Sequence, residues 1–231
     1  MKIGIMGGTF NPIHYGHLIL ANEATERFQL DKVIFVPAAT PPHKESQEII
    51  GPYHRFIMTV LATVAHPKME ISDLEIQRGG KSYSIETVEE LKKSYPSETA
   101  FFFIVGCDAF WEIATWKEVD RLFRSCHFII SNRSAGIVET GEVLEMLGQT
   151  VIPHYQGLTF QDGGIDSGFG CSKIIPFNSS YAIFLTRIPA IDISSTDIRR
   201  RIAHSKSIKY LVPETVDKAG LIGTEIIRLP K

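Results

Sequence analysis

The chain has 231 residues, 44% of them hydrophobic and 22% charged, with a formal charge of −2. That length supports one sizeable core, and the near-neutral balance excludes a general nucleic-acid binder, leaving room only for local basic patches. No run approaches the roughly 18 apolar residues of a membrane span. The opening MKIGIMGGTFNP lacks an apolar core and a small-residue cleavage site, so no signal peptide is expected.

Taken in chain order, the apolar run 2–6 reads as a buried strand ending in Gly7-Gly8. Residues 15–30 read as a helix, with Leu20, Ala21, Ala24 and Phe28 on one face. Residues 32–37 (KVIFVP) are a second strand. Residues 53–66 are helical again, with Ile57, Val60, Leu61 and Val64 as the apolar side. Residues 85–94 form a charged amphipathic helix with Ser84 as its N-cap. The run FFFIVG at 101–106 is apolar throughout, as a central strand covered on both faces requires. A helix over 118–126 and a strand over 128–131 follow.

Residues 134 to about 180 are rich in glycine and read as an insertion or long loop, with a short helix at 142–147 and the character of a mobile flap. A strand at 181–187, a basic helix at 195–203 and a short helix at 213–219 complete the chain. Strands alternating with helices predict an α/β fold: a single Rossmann-like domain over 1–231, with a doubly wound, mostly parallel sheet and a C-terminal helical subregion. The cysteines, Cys107, Cys126 and Cys171, have no CxxC spacing and predict free thiols in a reducing cytoplasm.

Two segments carry chemistry. The first is Gly7-Gly8-Thr9-Phe10-Asn11-Pro12-Ile13-His14-Tyr15-Gly16-His17, a strand end, a turn and a helix start. Glycine lets backbone approach a ligand, and the first amides of a helix attract anions. Two histidines three apart can point at one bound group. The spacing is neither a P-loop nor GxGxxG, and no nearby Cys, Asp or Glu completes a zinc set with the histidines. On its residues alone the segment is a phosphate-binding turn or a structural one. The second segment is Ile193-Ser194-Ser195-Thr196-Asp197-Ile198-Arg199. Its hydroxyls can cap a helix or donate to phosphate, and Arg199 offers a rigid fork of donors. An N-capped helix with a solvated basic face is the alternative.

The first segment resembles the GxFDPxHxGH motif of the nucleotidyltransferase superfamily, with Asn11 where that family usually has Asp. The second resembles its ISSTxIR motif. Between them, Pro41-Pro42-His43-Lys44, Ser82-Tyr83-Ser84 with Thr87 and Leu91, Gly106-Cys107-Asp108 and Thr115-Trp116 are similar, in order, to the pattern of nicotinate-nucleotide adenylyltransferases. The resemblance covers about 1–133 and 181–222 and leaves out the glycine-rich insertion.

It implies attack by the phosphate of nicotinate mononucleotide on the α-phosphorus of ATP, giving deamido-NAD and pyrophosphate, with no covalent enzyme intermediate. His14, His17 and Arg199 are the implied catalytic residues. ATP is expected at Gly7, Gly8, Thr9, Phe10, His14, His17, Gly106, Asp108, Ser194, Ser195, Thr196 and Arg199. Nicotinate mononucleotide is expected at His43, Lys44, Tyr83, Ser84, Trp116 and Arg133. Trp116 can stack on a pyridine, Lys44 can neutralise phosphate, and Tyr83 and Ser84 can offer donors to a carboxylate. The family usually has Thr in place of Ser84, a change that keeps the hydroxyl. Mg2+ is expected to arrive on ATP, bound mainly by phosphates and water, with no metal site of the protein's own. The implied partners are the two nucleotides, not nucleic acid or membrane, and the family allows a homo-oligomer. The same chemistry on nicotinamide mononucleotide or phosphopantetheine, and a non-catalytic nucleotide-sensing domain, are the alternative readings.

Overall fold

The computed structural model describes residues 1–42, 49–132, 139–187, 189 and 191–219. Its centre is one sheet of eight strands: β1 (Lys2–Gly8), β2 (Lys32–Pro37), β3 (Met69–Ile71), β4 (Ala100–Gly106), β5 (His127–Asn132), β6 (Phe160–Asp166), β7 (Cys171–Pro176) and β8 (Ile183–Arg187). The spatial order is β3-β2-β1-β4-β5-β8-β7-β6. Every pairing is parallel except β7 with β8 and β6 with β7. The order reverses between β1 and β4, which opens a crevice at the carboxyl ends of those strands.

The apolar strands are buried on both faces, as their composition requires. Along β4, Phe101, Phe103 and Val105 enter one core while Phe102 and Ile104 enter the other. The first core is closed by α4 (Ser84–Lys93), α6 (Val119–Phe123) and α7 (Thr140–Thr150). The second is closed by α1 (Tyr15–Arg27), α2 (Pro52–Thr63), α8 (Ser195–Ala203) and α9 (Glu214–Lys218). Two short helices, α3 (Leu74–Arg78) and α5 (Cys107–Phe110), cover strand ends. Burial of each large apolar side chain contributes about 1.5–3 kcal/mol, so these paired cores dominate stability. No helix among the described residues is long and apolar enough to cross a membrane.

The face of α1 is the expected one: Leu20, Ala21, Ala24 and Phe28 are all buried. That of α2 is not. Ile57 and Val64 are exposed, at 44% and 70%, and the buried residues are Arg55, Met58, Thr59 and Thr63. The two threonines satisfy their hydroxyls locally, Thr59 on the Arg55 carbonyl and Thr63 on the Thr59 carbonyl, both at 2.8 Å. Arg55 is buried because it has main-chain carbonyls to bind, which periodicity cannot show.

The segment 134–180 also differs from the expected loop. Its described part supplies α7 and the β6–β7 hairpin, which prolongs the sheet beyond β8. Cys171 and Ile174 of β7 reach the two cores. Gly157, Gly164 and Gly170 take left-handed backbone, φ +76, +70 and +63, and Gly170 closes the turn between the strands. A register shift between Asp162 and Ile165 kinks the outer strand, a common protection for a sheet edge.

Candidate active site

A cavity of about 410 Å3 lies at the carboxyl ends of β1, β2 and β4. One wall is the turn between β1 and α1. Gly7, Gly8 and Thr9 line it, and Phe10 closes the turn in a left-handed conformation, φ 47. The Phe10 ring points away from the cavity into the core, edge-on to His17 and tilted against Phe35. Phe10 therefore shapes the turn and does not face a ligand with its side chain.

His14 is the N-cap of α1 and His17 lies in its first turn; both line the cavity. Their rings lie 3.7 Å apart between centroids. The His14 N–H donates to His17 Nδ1 at 3.3 Å. In the neutral ring of His17 the proton then belongs on Nε2, which makes that nitrogen a donor. His14 is 1% exposed. Gly16 gives its ring room, since a Cβ there would stand 3.0 Å from His14 Nδ1.

The opposite end of the sequence forms the adjoining wall. Ser194, the N-cap of α8, accepts the Asp197 N–H, and Ser194, Ser195 and Thr196 line the cavity. The Ser195 hydroxyl donates to the Pro12 carbonyl at 2.8 Å, and Arg199 Nη1 donates to the Asn11 carbonyl at 2.9 Å. The two motifs are thus hydrogen-bonded to each other across 183 and 188 residues of chain. Arg199, which is not among the residues lining the cavity, grips the turn, with Thr196 Oγ1 3.4 Å from its Nη2. Asn11, 3% exposed, accepts the Ile50 N–H on its Oδ1 at 3.2 Å, a task that needs an acceptor rather than a charge. An amide therefore suffices for this contact where a carboxylate is usual.

Pro41, Pro42, Tyr83, Ser84, Gly106, Asp108 and Trp116 also line the cavity. Tyr83, not Ser84, is the N-cap of α4, and it makes no side-chain cap. The amides of the first turn have no partner within the helix, which suits an anion. Trp116 follows a short turn over Ile113–Thr115 and packs edge-on against Phe103. His43, Lys44 and Arg133 lie outside the described residues.

Three charged residues on the cavity, Glu75, Glu112 and Lys117, were not singled out from the sequence. Lys117 sits 4.5 Å over the Tyr83 ring and pairs with Glu86 at 2.7 Å. Glu75, 5% exposed, accepts the Thr87 hydroxyl. Burial pushes its carboxyl above the usual value, against hydrogen bonds from Ser82 and Thr87 and the charges of Arg78 and Arg55. Lys117 follows Trp116 directly and could have been marked as a cation beside an aromatic. Nothing in the sequence marks Glu75, since its burial depends on α4. Among the described residues no group of three or more His, Cys, Asp or Glu is placed to hold a metal ion.

Residues 5–201 match the family model described as cytidylyltransferase-like. Over 94% of its length the chain is 41% identical to the probable nicotinate-nucleotide adenylyltransferase of Thermoanaerobacter sp. (strain X514), covering 90% of that protein. It is 42% identical to the one from Moorella thermoacetica, covering 94% of this chain and 88% of the relative. Among solved structures it resembles the Plasmodium falciparum nicotinic acid mononucleotide adenylyltransferase complexed with NaAD. The TM-score is 0.66, with coverage of 96% and 97%; at 21% identity this likeness is one of fold.

Proposed function

Because this chain belongs to the cytidylyltransferase-like family, in its nicotinate-nucleotide adenylyltransferase branch, we propose that it transfers the adenylyl group of ATP to nicotinate mononucleotide. The products are deamido-NAD and pyrophosphate, in NAD biosynthesis. The observation that carries this reading is the closure of the two motifs on one cavity, through Ser195 on Pro12 and Arg199 on Asn11. Around the same space stand His14 and His17, the hydroxyl residues Thr9, Ser194, Ser195 and Thr196, and the aromatic residues Tyr83 and Trp116.

The chemistry is an in-line displacement. A phosphate oxygen of nicotinate mononucleotide bonds to the α-phosphorus of ATP, and the bond from that phosphorus to the bridging oxygen breaks. The electron pair leaves with pyrophosphate. The nucleophile is already an anion, so no general base is needed, and catalysis rests on positioning and charge stabilisation. His17, donating from Nε2, and His14 act on the phosphates as negative charge moves to the leaving group. Thr9, Ser195 and Thr196 bind the triphosphate, while Arg199 holds the turn and adds positive charge behind it. Asp108, beside Gly106, is suited to accept from ribose hydroxyls. Trp116 stacks on the pyridine, and the α4 amides with Ser84 bind its carboxylate. Mg2+ belongs to this reading as an ion carried by phosphate oxygens and water, where it neutralises charge. A cytoplasmic setting also belongs to it, in keeping with the unbridged thiols of Cys126 and Cys171.

The test is pyrophosphate release by the purified protein with ATP, Mg2+ and each of nicotinate mononucleotide, nicotinamide mononucleotide and phosphopantetheine. The acid is expected to turn over fastest. No release with any acceptor would sink the enzymatic reading, and a faster rate with the amide would sink the choice of acceptor.

A further inference from the structure

Behind the cavity lies a cation that the proposed chemistry does not use. Arg55 is 0% exposed, and its described hydrogen bonds all go to main-chain carbonyls. Nε donates to Ile50 at 2.8 Å and Nη1 to Thr9 at 2.7 Å. Nη2 donates to Ala38 at 2.5 Å and to Ala39 at 3.0 Å. Thr9 belongs to the phosphate turn after β1. Ala38 and Ala39 follow β2, on the way to Pro41 and Pro42, which line the cavity. Burial pulls the guanidinium down to about 10, so it stays charged at neutral pH.

The contacts continue past Arg55. The Ala39 N–H donates to Ser82 Oγ at 2.9 Å, and the Ser82 N–H donates to the Thr40 carbonyl at 3.0 Å. Ser82 leads into α4. There Thr87 donates to Glu75 and accepts from Arg78 at 3.1 Å. A continuous chain of hydrogen bonds therefore joins the turn at Thr9 to the start of α4. A buried cation is costly to desolvate, and apolar residues would fill the same space as well or better for stability alone. What a planar fork of donors adds is a fixed spacing among carbonyls from separate loops.

We infer that Arg55 is a positioning residue that sets the distance between the nucleotide turn and the start of α4, where the proposed reading puts the acceptor. This rests on the adenylyl-transfer reading. In-line attack requires the two phosphates to meet within a fraction of an ångström, and a 1 Å error costs about 100-fold in rate. Loss of the fork therefore lowers kcat far more than it weakens either substrate alone.

The experiment uses the full chain, with wild type, Arg55→Lys, Ser82→Ala and the double variant, and rates are expressed per folded site. Wild type must first release pyrophosphate from ATP and nicotinate mononucleotide. Failure there overturns the adenylyl-transfer reading and the inference with it. With wild type active, Arg55→Lys is expected to lose about 10- to 100-fold in kcat. Its Kd values for nicotinate mononucleotide alone and for a non-hydrolysable ATP analogue alone should shift less than about threefold. Ser82→Ala, which leaves the cation in place, is expected to lose severalfold in kcat. Because both residues lie in one chain of contacts, the double variant should fall well short of the product of the two losses. Unchanged kcat in Arg55→Lys overturns the inference alone, as does a loss accounted for by the folded fraction or fully multiplicative losses. Should Arg55→Lys not fold, Ser82→Ala with wild-type kcat does the same.

Discussion

Replacement of Gly16 by Ala separates two effects of opposite sign. In a helix alanine is favoured over glycine by about 1 kcal/mol, so an open position would gain stability. Here a Cβ would stand 3.0 Å from His14 Nδ1, 3.1 Å from its Cε1 and 3.5 Å from the Ile193 carbonyl oxygen. Comfortable contact begins at about 3.5 Å, so the ring must shift by about half an ångström. It has little room, being 1% exposed with the His17 ring 3.7 Å away. At about 100-fold per ångström of misplacement, Gly16→Ala should lower kcat about tenfold, and overpacking should cancel the helix gain or exceed it. Pyrophosphate release at saturating substrates gives kcat, and thermal melting gives stability. A raised Tm with unchanged kcat would refute the argument, because it would mean that the histidines are not held by that contact.

Three further outcomes are expected. His17→Ala should lower kcat by about 100-fold or more at saturating substrates, as loss of a transition-state donor does; near-normal turnover would remove His17 from the chemistry. His127 is stacked on Phe102 and accepts the Ala182 N–H on Nδ1, and burial pulls it down to about 4. Its folded value lies below its unfolded one near 6.5. It therefore contributes stability that is complete above pH 6.5 and is lost as pH falls toward 4, about 2 kcal/mol of it by pH 5. Urea denaturation at pH 7.5 and 5 should show that loss in wild type and a smaller one in His127→Asn; equal losses would contradict the assignment. Asn11→Ala leaves the buried Ile50 N–H without its acceptor and should cost about 1–3 kcal/mol in chemical denaturation. Asn11→Asp keeps an acceptor and should retain most stability and kcat, so equal behaviour of the two variants would count against the acceptor role.

Local pattern carried much of the fold. FFFIVG is too apolar for anything but a strand covered twice, and β4 is the centre of the sheet. The small and apolar stripe of α1 predicted Leu20, Ala21, Ala24 and Phe28 as buried, though not Gly16 or Thr25. Pattern failed where burial depends on distant partners. The apolar stripe of α2 lies partly in solvent while an arginine and two threonines face inward, because four carbonyls from other loops meet that arginine. The β6–β7 hairpin was hidden because glycines and acids interrupt its alternation, and its pairing with β8 supplies what its composition lacks.

The site divides the same way. The chain order and residue types of both motifs, and the aromatic and hydroxyl residues between them, were legible in the sequence as parts of one candidate site through their resemblance to the family. Which of those residues face a ligand was not. Phe10 and Arg199 lie within the motifs yet are not among the residues lining the cavity, while Glu75, Glu112 and Lys117 lie outside them and line it. A motif records which residues the turn and helix need, whether to touch a ligand or to hold the residue that does. Only the packing of α8 against Asn11 and Pro12, and of α4 and α2 behind the strand ends, decides between those two tasks, because it fixes which side of each backbone faces the cavity.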